Sequence, residues 1–350
     1  MRIFLLLVLG FLLSSCSEPQ LIHTTQSYVF GTEVKITIYG ESEEDASDLA
    51  SEIIRHFQDI HNRVQAWRPS EIRALNNAFK NENLPVTVKP DIAAIISDAT
   101  AFSIQSKGAF NPAIGGLIDA WGFHKDEIKP IKINDNKIQK LVKSNPQMVD
   151  IVIKNGKISS TNPNVRLDLD DYIKGYALDA SLVFLREHGV KNALINIGGN
   201  MIALGKSGDK PWRVNIRHPR KPGAIAQLDL ESGWAISTTG DYQRYFESKG
   251  KRYSHIIDPT TGYPAQGTQA VTVLVSPQNN AGTLSNVATI PIFIAKPELR
   301  TQAAKDMGVE NYLVIESNDK ILITSDMAKR ITWADSDTEK HTNQIKLQTN

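Results

Sequence analysis

The chain is nearly without cysteine: among its 350 residues only Cys16 carries a thiol. That leaves the folded body no disulfide, no thiolate metal site and no cysteine nucleophile. Charge of one sign is also lacking. Lys and Arg number 39 against 38 Asp and Glu, a net charge of +1. Nothing in that balance suits a polyanion, so no nucleic-acid partner is expected. Beyond the N-terminus no apolar run is long enough to span a bilayer. Internal repeats and low-complexity runs are missing as well. What is present is 41% hydrophobic residues, enough for a large core in one big domain or two fused ones.

The N-terminus, MRIFLLLVLGFLLSSC, has Arg2 ahead of an apolar run over residues 3–13, then small residues. The run is too short for a spanning helix and reads as a secretory signal. Leu13-Ser14-Ser15-Cys16 resembles a bacterial lipobox, in which the cysteine is lipidated and becomes the mature N-terminus. A plain signal peptide ahead of a chance cysteine is the simpler alternative. The lipobox reading gives a lipoprotein signal peptide over 1–15, lipidation at Cys16 and a tether over 16–24. It places the protein in the bacterial cell envelope, as a membrane lipoprotein facing the periplasm.

Mixed periodicities follow. Ser42 and Asp45 have capping-box spacing, and Leu49, Ile53, Phe57, Ile60 and Val64 continue at helical intervals. Further helices are predicted over about 91–105 and from near Asp171 to Gly189, a glycine suited to the C′ position. Strands are predicted over 33–39, 193–197, 213–217, 270–276, 311–315 and 320–324. Helices and strands do not alternate strictly, which favours α+β over a doubly wound sheet. The folded domain is placed at 25–334 and a polar tail at 335–350, without structure from about Asp337 onward.

Several segments carry chemistry. LDLDDYIKGYALD, residues 167–179, crowds Asp168, Asp170 and Asp171 at a helix start beside Lys174 and Gly175. Acidic residues there are ordinary, because they complement the helix dipole. Beside a lysine and a glycine they also resemble a place for a cation that carries phosphates. NIGGN ends an apolar strand with Gly198 and Gly199, which either present amides to an anion or make a turn. STTGDY, with Thr239, reads as a hydroxyl-rich site or as a turn with a cap. His255 stands three residues before the Asp258-Pro259 turn, either structural or one of several polar groups at strand ends. Phe110, Asn111 and Trp121 belong to stretches that bracket an apolar loop with aromatic faces.

Together and in order, these segments resemble the ApbE family, the FAD:protein FMN transferases. The matching pieces are GTEVKI, WRPSEIRALN, GAFNPA, WGF, DLDDYIKGYALD, NIGGN, DKPWRVNIRHP, TTGDY and HIIDPTTGYP, spread over about residues 25–325. The resemblance implies a single large ApbE-like domain with a T-fold-like core. It implies transfer of FMN from FAD to a Thr or Ser hydroxyl of a target protein, a respiratory or redox protein, with release of AMP. FAD is then a substrate, and magnesium or another divalent cation sits on its diphosphate. On matching positions the flavin-binding residues are Phe30, Trp67, Phe110, Asn111, Asp168, Lys174, Gly175, Tyr176, Gly198, Gly199, Thr239, His255 and Ile256. His255 would take the hydroxyl's proton. Lys174 and the amides of Gly198 and Gly199 would face the diphosphate, and Phe110, Trp121 and Tyr176 the rings.

Departures from the family pattern concentrate on the metal. The family's A-D-A-L-x-T segment sets an aspartate and a threonine four apart on one helix face. Here Asn286 and Ile290 occupy those positions and Pro291 follows. Asparagine offers a neutral oxygen to a hard cation and isoleucine offers nothing. Ile173 replaces an alanine whose backbone commonly faces the ion, Asn111 and Ala113 replace Asp and Thr, and Phe30 and Trp67 replace Met and Tyr. Asp170 and Asp171 stand where Gly-Gly is usual. Either they hold a displaced metal in compensation, or Asp171 caps the helix and Asp170 faces water. Three readings follow: a transferase with a weakened or relocated metal site, an exported FAD-binding lipoprotein without turnover, or an interaction protein that keeps only the fold. The transferase is the expectation.

Overall fold

In the computed structural model, which describes residues 21–81, 84–336, 338 and 342–345, the chain folds as an α+β domain. The signal-peptide and Cys16 assignments lie outside those residues. The strands are β1 (Ile22–Val29), β2 (Thr32–Tyr39), β3 (Val86–Thr87), β4 (Ile151–Lys154), β5 (Lys157–Ser160), β6 (Asn192–Ile197), β7 (Asn200–Leu204), β8 (Trp212–Arg217) and β9 (Ala224–Leu230). They continue with β10 (Ala235–Gly240), β11 (Tyr245–Ser248), β12 (Lys251–Ser254), β13 (Thr268–Val275), β14 (Asn311–Glu316), β15 (Ile321–Thr324), β16 (Ile331–Trp333) and β17 (Thr342–Ile345). The helices are α1 (Glu43–Val64), α2 (Glu71–Asn81), α3 (Pro90–Gln105), α4 (Gly115–Trp121), α5 (Asp135–Ser144), α6 (Asp170–Glu187), α7 (Ala281–Ile294), α8 (Arg300–Asp306) and α9 (Ser325–Ala328).

A nine-stranded sheet in the order β1-β2-β6-β7-β10-β13-β14-β15-β17 forms the centre. Its neighbours pair antiparallel except β15 and β17. Strand β13, TQAVTVLV, is buried at every position because layers cover both of its faces. On one side lie α1, α6 and α7. Helix α1 buries Ala46, Ala50, Ile53, Phe57, Ile60 and Val64, a single stripe at helical spacing. Helix α7 is apolar nearly all round and buried from Ala281 to Phe293, the pattern of a helix enclosed between α6 and the sheet. On the other side the β8-β9-β16 sheet packs Trp212, Val214, Ile216 and Leu228 against Ala203, Ile236, Leu274 and Leu313. A smaller cluster of Leu117, Trp121, Phe123, Ile138, Phe246 and Ile257 ties α4 and α5 to the β11–β12 hairpin.

The predicted strands and helices all form, with ends shifted by a few residues. Ser42 is the N-cap of α1: its Oγ accepts the Asp45 N–H at 3.1 Å and its hydroxyl donates to Asp45 at 2.7 Å. Three expectations need correction. The end of the tether, residues 22–24, belongs to β1, because its backbone pairs with residues 37–39 of β2. The tail is not without structure throughout: Thr342–Ile345 lies parallel to β15, where backbone hydrogen bonding alone suffices to add a polar edge strand. Asp171 does not cap α6. The N-cap is Leu169, Asp170 and Asp171 lie in the first turn, and Asp168 Oδ1 accepts the Asp170 N–H at 3.1 Å. Among the described residues no helix is long and apolar enough to cross a membrane.

Candidate active site

Two hairpin turns shape one wall of a cavity of about 420 Å³. Phe30 and Gly31 (φ 54° and 68°) join β1 to β2, and Gly198 and Gly199 (φ 61° and 96°) join β6 to β7. Both are two-residue turns with positive φ at each central position, which matches the twist of the strands they connect. A Cβ on Gly198 would come within 2.5 Å of Thr32 Oγ1, so the turns fit side by side only with glycine there. A helical wall is formed by the start of α6, with Asp168, Asp170, Asp171 and Lys174, together with Ile290 of α7. Phe110, Ile114, Ile118 and Phe123 add apolar lining, and Arg217 and Arg244 add cationic lining.

His255 lines the cavity just after β12, held by the hairpin that Trp121 stabilises. Its Nδ1 is 3.3 Å from the Arg244 carbonyl, which makes Nδ1 the protonated nitrogen and leaves the Nε2 lone pair unprotonated. Burial lowers the His255 pKa; Asp171 raises it, and Lys174 and Arg244 lower it further. The ring is therefore neutral at pH 7 and able to accept a proton. Asp168 behaves oppositely. Burial, then Asp170, push its carboxyl up to about 8, with Asp171 adding to the rise. The Asp170 N–H and the Trp67 Nε1–H at 3.1 Å work against that shift.

Of the residues expected at the flavin, Phe30, Phe110, Asn111, Asp168, Lys174, Gly198, Gly199, His255 and Ile256 line the cavity. Trp67 reaches it only through its bond to Asp168. The amides of NIGGN are committed elsewhere, so their expected role as anion donors is corrected. Gly198 N–H donates to the Glu33 carbonyl at 2.9 Å and Gly199 N–H to Asn196 Oδ1 at 2.8 Å. Asn111 likewise uses its polar atoms on the Pro146 carbonyl and the Ala113 N–H. Gly175 is a packing residue: a Cβ there would sit 2.6 Å from Gly282 O and from Thr283 Cα, where α6 and α7 cross. Thr239 is spent on Thr289, with 2.7 Å between their hydroxyl oxygens. Trp121 is fully buried and donates to Gly262 O at 2.7 Å, away from any ligand's rings. Tyr176 faces a different cavity, of about 580 Å³, where it stacks on Tyr172 with ring centroids 6.1 Å apart.

The metal positions do not fit a divalent cation. Asn286 Oδ1 accepts the Gly175 N–H at 3.1 Å, Ile290 offers only carbon to the cavity, and Ile173 is 1% exposed within the core. Asp170 and Asp171 line the cavity, yet among the described residues no group of three or more His, Cys, Asp or Glu side chains is placed to hold a metal. Arg217 and Arg244 were missed by the sequence reading. Arg217 was legible in part: β8 alternates buried and exposed, which sends Arg213, Asn215 and Arg217 away from the core together. Arg244 comes into view only through its long-range bonds to the carbonyls of Phe123 (2.6 Å) and Lys125 (2.9 Å).

The ApbE family's sequence profile matches residues 30–313. A FAD:protein FMN transferase of Rhodobacter capsulatus is 36% identical over 304 residues, 87% of this chain and 57% of that longer relative, so the chain spans little more than half of it. One from Vibrio cholerae is 30% identical over 269 residues, 75% of this chain and 79% of the relative. The crystal structure of the ApbE protein of Thermotoga maritima is similar with a TM-score of 0.78 at 26% identity, covering 89% of this chain and 99% of that one. The flavin transferase ApbE from Vibrio cholerae shares the fold, with a TM-score of 0.75 at 23% identity over 89% of this chain and all of its own.

Proposed function

The chain belongs to the ApbE family, and we propose that its cavity transfers FMN from FAD to a Thr or Ser hydroxyl of an acceptor protein, releasing AMP. One observation carries the reading. His255, neutral and with Nδ1 turned to the Arg244 carbonyl, lines a cavity that carries both apolar and cationic side chains. That combination suits a molecule with a flat ring system at one end and a diphosphate in its middle.

The chemistry follows from the residues present. The acceptor oxygen attacks the phosphorus on the FMN side of the diphosphate and a new P–O bond forms. The bond from that phosphorus to the bridging oxygen breaks, and AMP leaves with that oxygen. The hydroxyl proton passes to His255 Nε2. Lys174 and Arg217 stand on the wall to meet charge on the phosphate oxygens. Phe30, Phe110 and Phe123 offer apolar surface to the rings. No step is routed through a divalent ion, because the side chains at the implied positions are unsuited to one.

The test is a single turnover with purified mature protein, FAD and a Thr- or Ser-bearing acceptor, read as AMP released and flavin mass added to the acceptor. His255→Ala should still bind FAD while transfer falls by about 10²–10⁴-fold. Undiminished transfer in that variant would remove His255 from the mechanism. The acceptor class, a respiratory or redox protein, is supported by the family resemblance. An envelope location is supported by the short apolar run ending at Leu13-Ser14-Ser15-Cys16. Cys16→Ser should yield a soluble or uncleaved precursor, and a processed variant that stays with membranes would refute the lipid anchor.

A further inference from the structure

The ion position implied on α7 is closed in this chain by packing as well as by chemistry. Gly175 and Gly282 bring α6 and α7 together backbone to backbone, with a Cβ at either glycine falling within 2.8 Å of the other helix. At that crossing the only side-chain oxygen of Asn286, a residue 4% exposed, accepts the Gly175 N–H at 3.1 Å. A neutral carboxamide already holding a backbone donor is a poor ligand for a hard cation. One helical turn on, Ile290 presents hydrocarbon to the cavity. Meanwhile two cations on the cavity wall are uncommitted. Among the described residues the Lys174 ammonium makes no hydrogen bond or ion pair, and Arg217 lies over the face of the Tyr242 ring, 5.4 Å from its centroid. Arg244, by contrast, is spent on two carbonyls.

We infer that this chain holds no divalent ion on α7 and that Lys174 and Arg217 meet the diphosphate's charge in its place. The second half rests on the FAD reading above; the first half does not. An ammonium acts as a point charge and a guanidinium as a planar fork with several donors, so the pair can serve two phosphates without a bridging metal. The three aspartates on the same wall set the limit on this arrangement. Asp168, Asp170 and Asp171 all line the cavity and oppose the two cations.

Two measurements on the mature chain decide it. In the first, Mn²⁺ alone is titrated and followed by electron paramagnetic resonance. Wild type should show no saturable site up to millimolar Mn²⁺, and Asn286→Asp with Ile290→Thr should gain one. A saturable wild-type site that Asn286→Ala abolishes overturns the α7 half of the inference, and one that Asp170→Asn with Asp171→Asn abolishes overturns the replacement of the ion by Lys174 and Arg217. In the second, FAD binding is read by flavin fluorescence in EDTA and in magnesium. Wild-type affinity should agree within about twofold between the two, and Lys174→Ala and Arg217→Ala should each weaken it about tenfold in both. Binding that needs magnesium, or that ignores both substitutions, overturns the cation assignment. Absence of FAD binding under every condition refutes the flavin reading itself, while the Mn²⁺ titration still decides whether α7 holds an ion.

Discussion

The two walls of the cavity have kept different things. The strand-turn wall, with Phe30–Gly31 and Gly198–Gly199, keeps the family's glycine turn and a backbone geometry that requires it. The helical wall keeps its packing and changes its chemistry. Gly175 and Gly282 still allow α6 and α7 to cross closely, yet Asn286, Ile290, Asp170 and Asp171 have replaced the pattern expected for a metal. Fold and ligand set are thus separable. A helix crossing depends on the absence of a few atoms, whereas a metal site depends on oxygens at particular positions.

Substitutions should sharpen that contrast. The largest stability effect is expected at Asp179, whose carboxylate accepts the N–H groups of Gly282 and Thr283 and the Thr283 hydroxyl, each at 2.7 Å. Asp179→Ala leaves the start of α7 without these acceptors and should cost about 3 kcal/mol in denaturant unfolding. Gly175→Ala forces a methyl against backbone and should cost about 2 kcal/mol by the same measurement. A fully stable Gly175→Ala protein would mean that the helices do not cross as described. On the strand-turn wall, Gly199→Asp meets no neighbouring atom within 4 Å but adds a carboxylate at the cavity and strains a φ of 96°. FAD affinity should fall about tenfold, roughly 1.4 kcal/mol. Unchanged affinity would separate the NIGGN turn from the ligand. Thr239→Val, in a residue bonded to Thr289 and not lining the cavity, should leave FAD affinity within about twofold.

A pH effect where α6 meets α7 follows with a definite sign. Burial pushes the Asp179 carboxyl up to about 6, against the bonds from Thr283 and Gly282. A carboxyl whose folded pKa exceeds its unfolded value near 4 binds its proton more tightly when folded. Its contribution is fully present below about pH 4 and is lost as pH rises through about 6. Melting curves of wild type and Asp179→Asn across that window should differ in slope, the wild type losing the more stability on the way up. Parallel curves would show that the carboxyl titrates normally.

Much of this was readable beforehand. Period-two alternation located β6 and β8, helical spacing located α1, and the glycine pair was rightly open to being a turn. Polar strands escaped because their pairing leaves no hydrophobic signature: β1 reads IHTTQSYV, and β17 is held by edge pairing. Tyr176 was misplaced for a geometric reason. Tyr176 and Lys174 are neighbours on one helix, but a rotation of about 100° per residue sends them to different cavities. Sequence order gives no hint of which face meets the ligand until α7 is seen packed against Gly175.

The most direct test of metal-independent transfer is AMP release from FAD by the mature protein in the presence of an acceptor hydroxyl, compared in EDTA and in magnesium. Release is expected at rates within about twofold of each other in the two conditions, with a fall of about 10²–10⁴-fold in His255→Ala. Release that requires magnesium, or FAD that binds and is never cleaved, would contradict it.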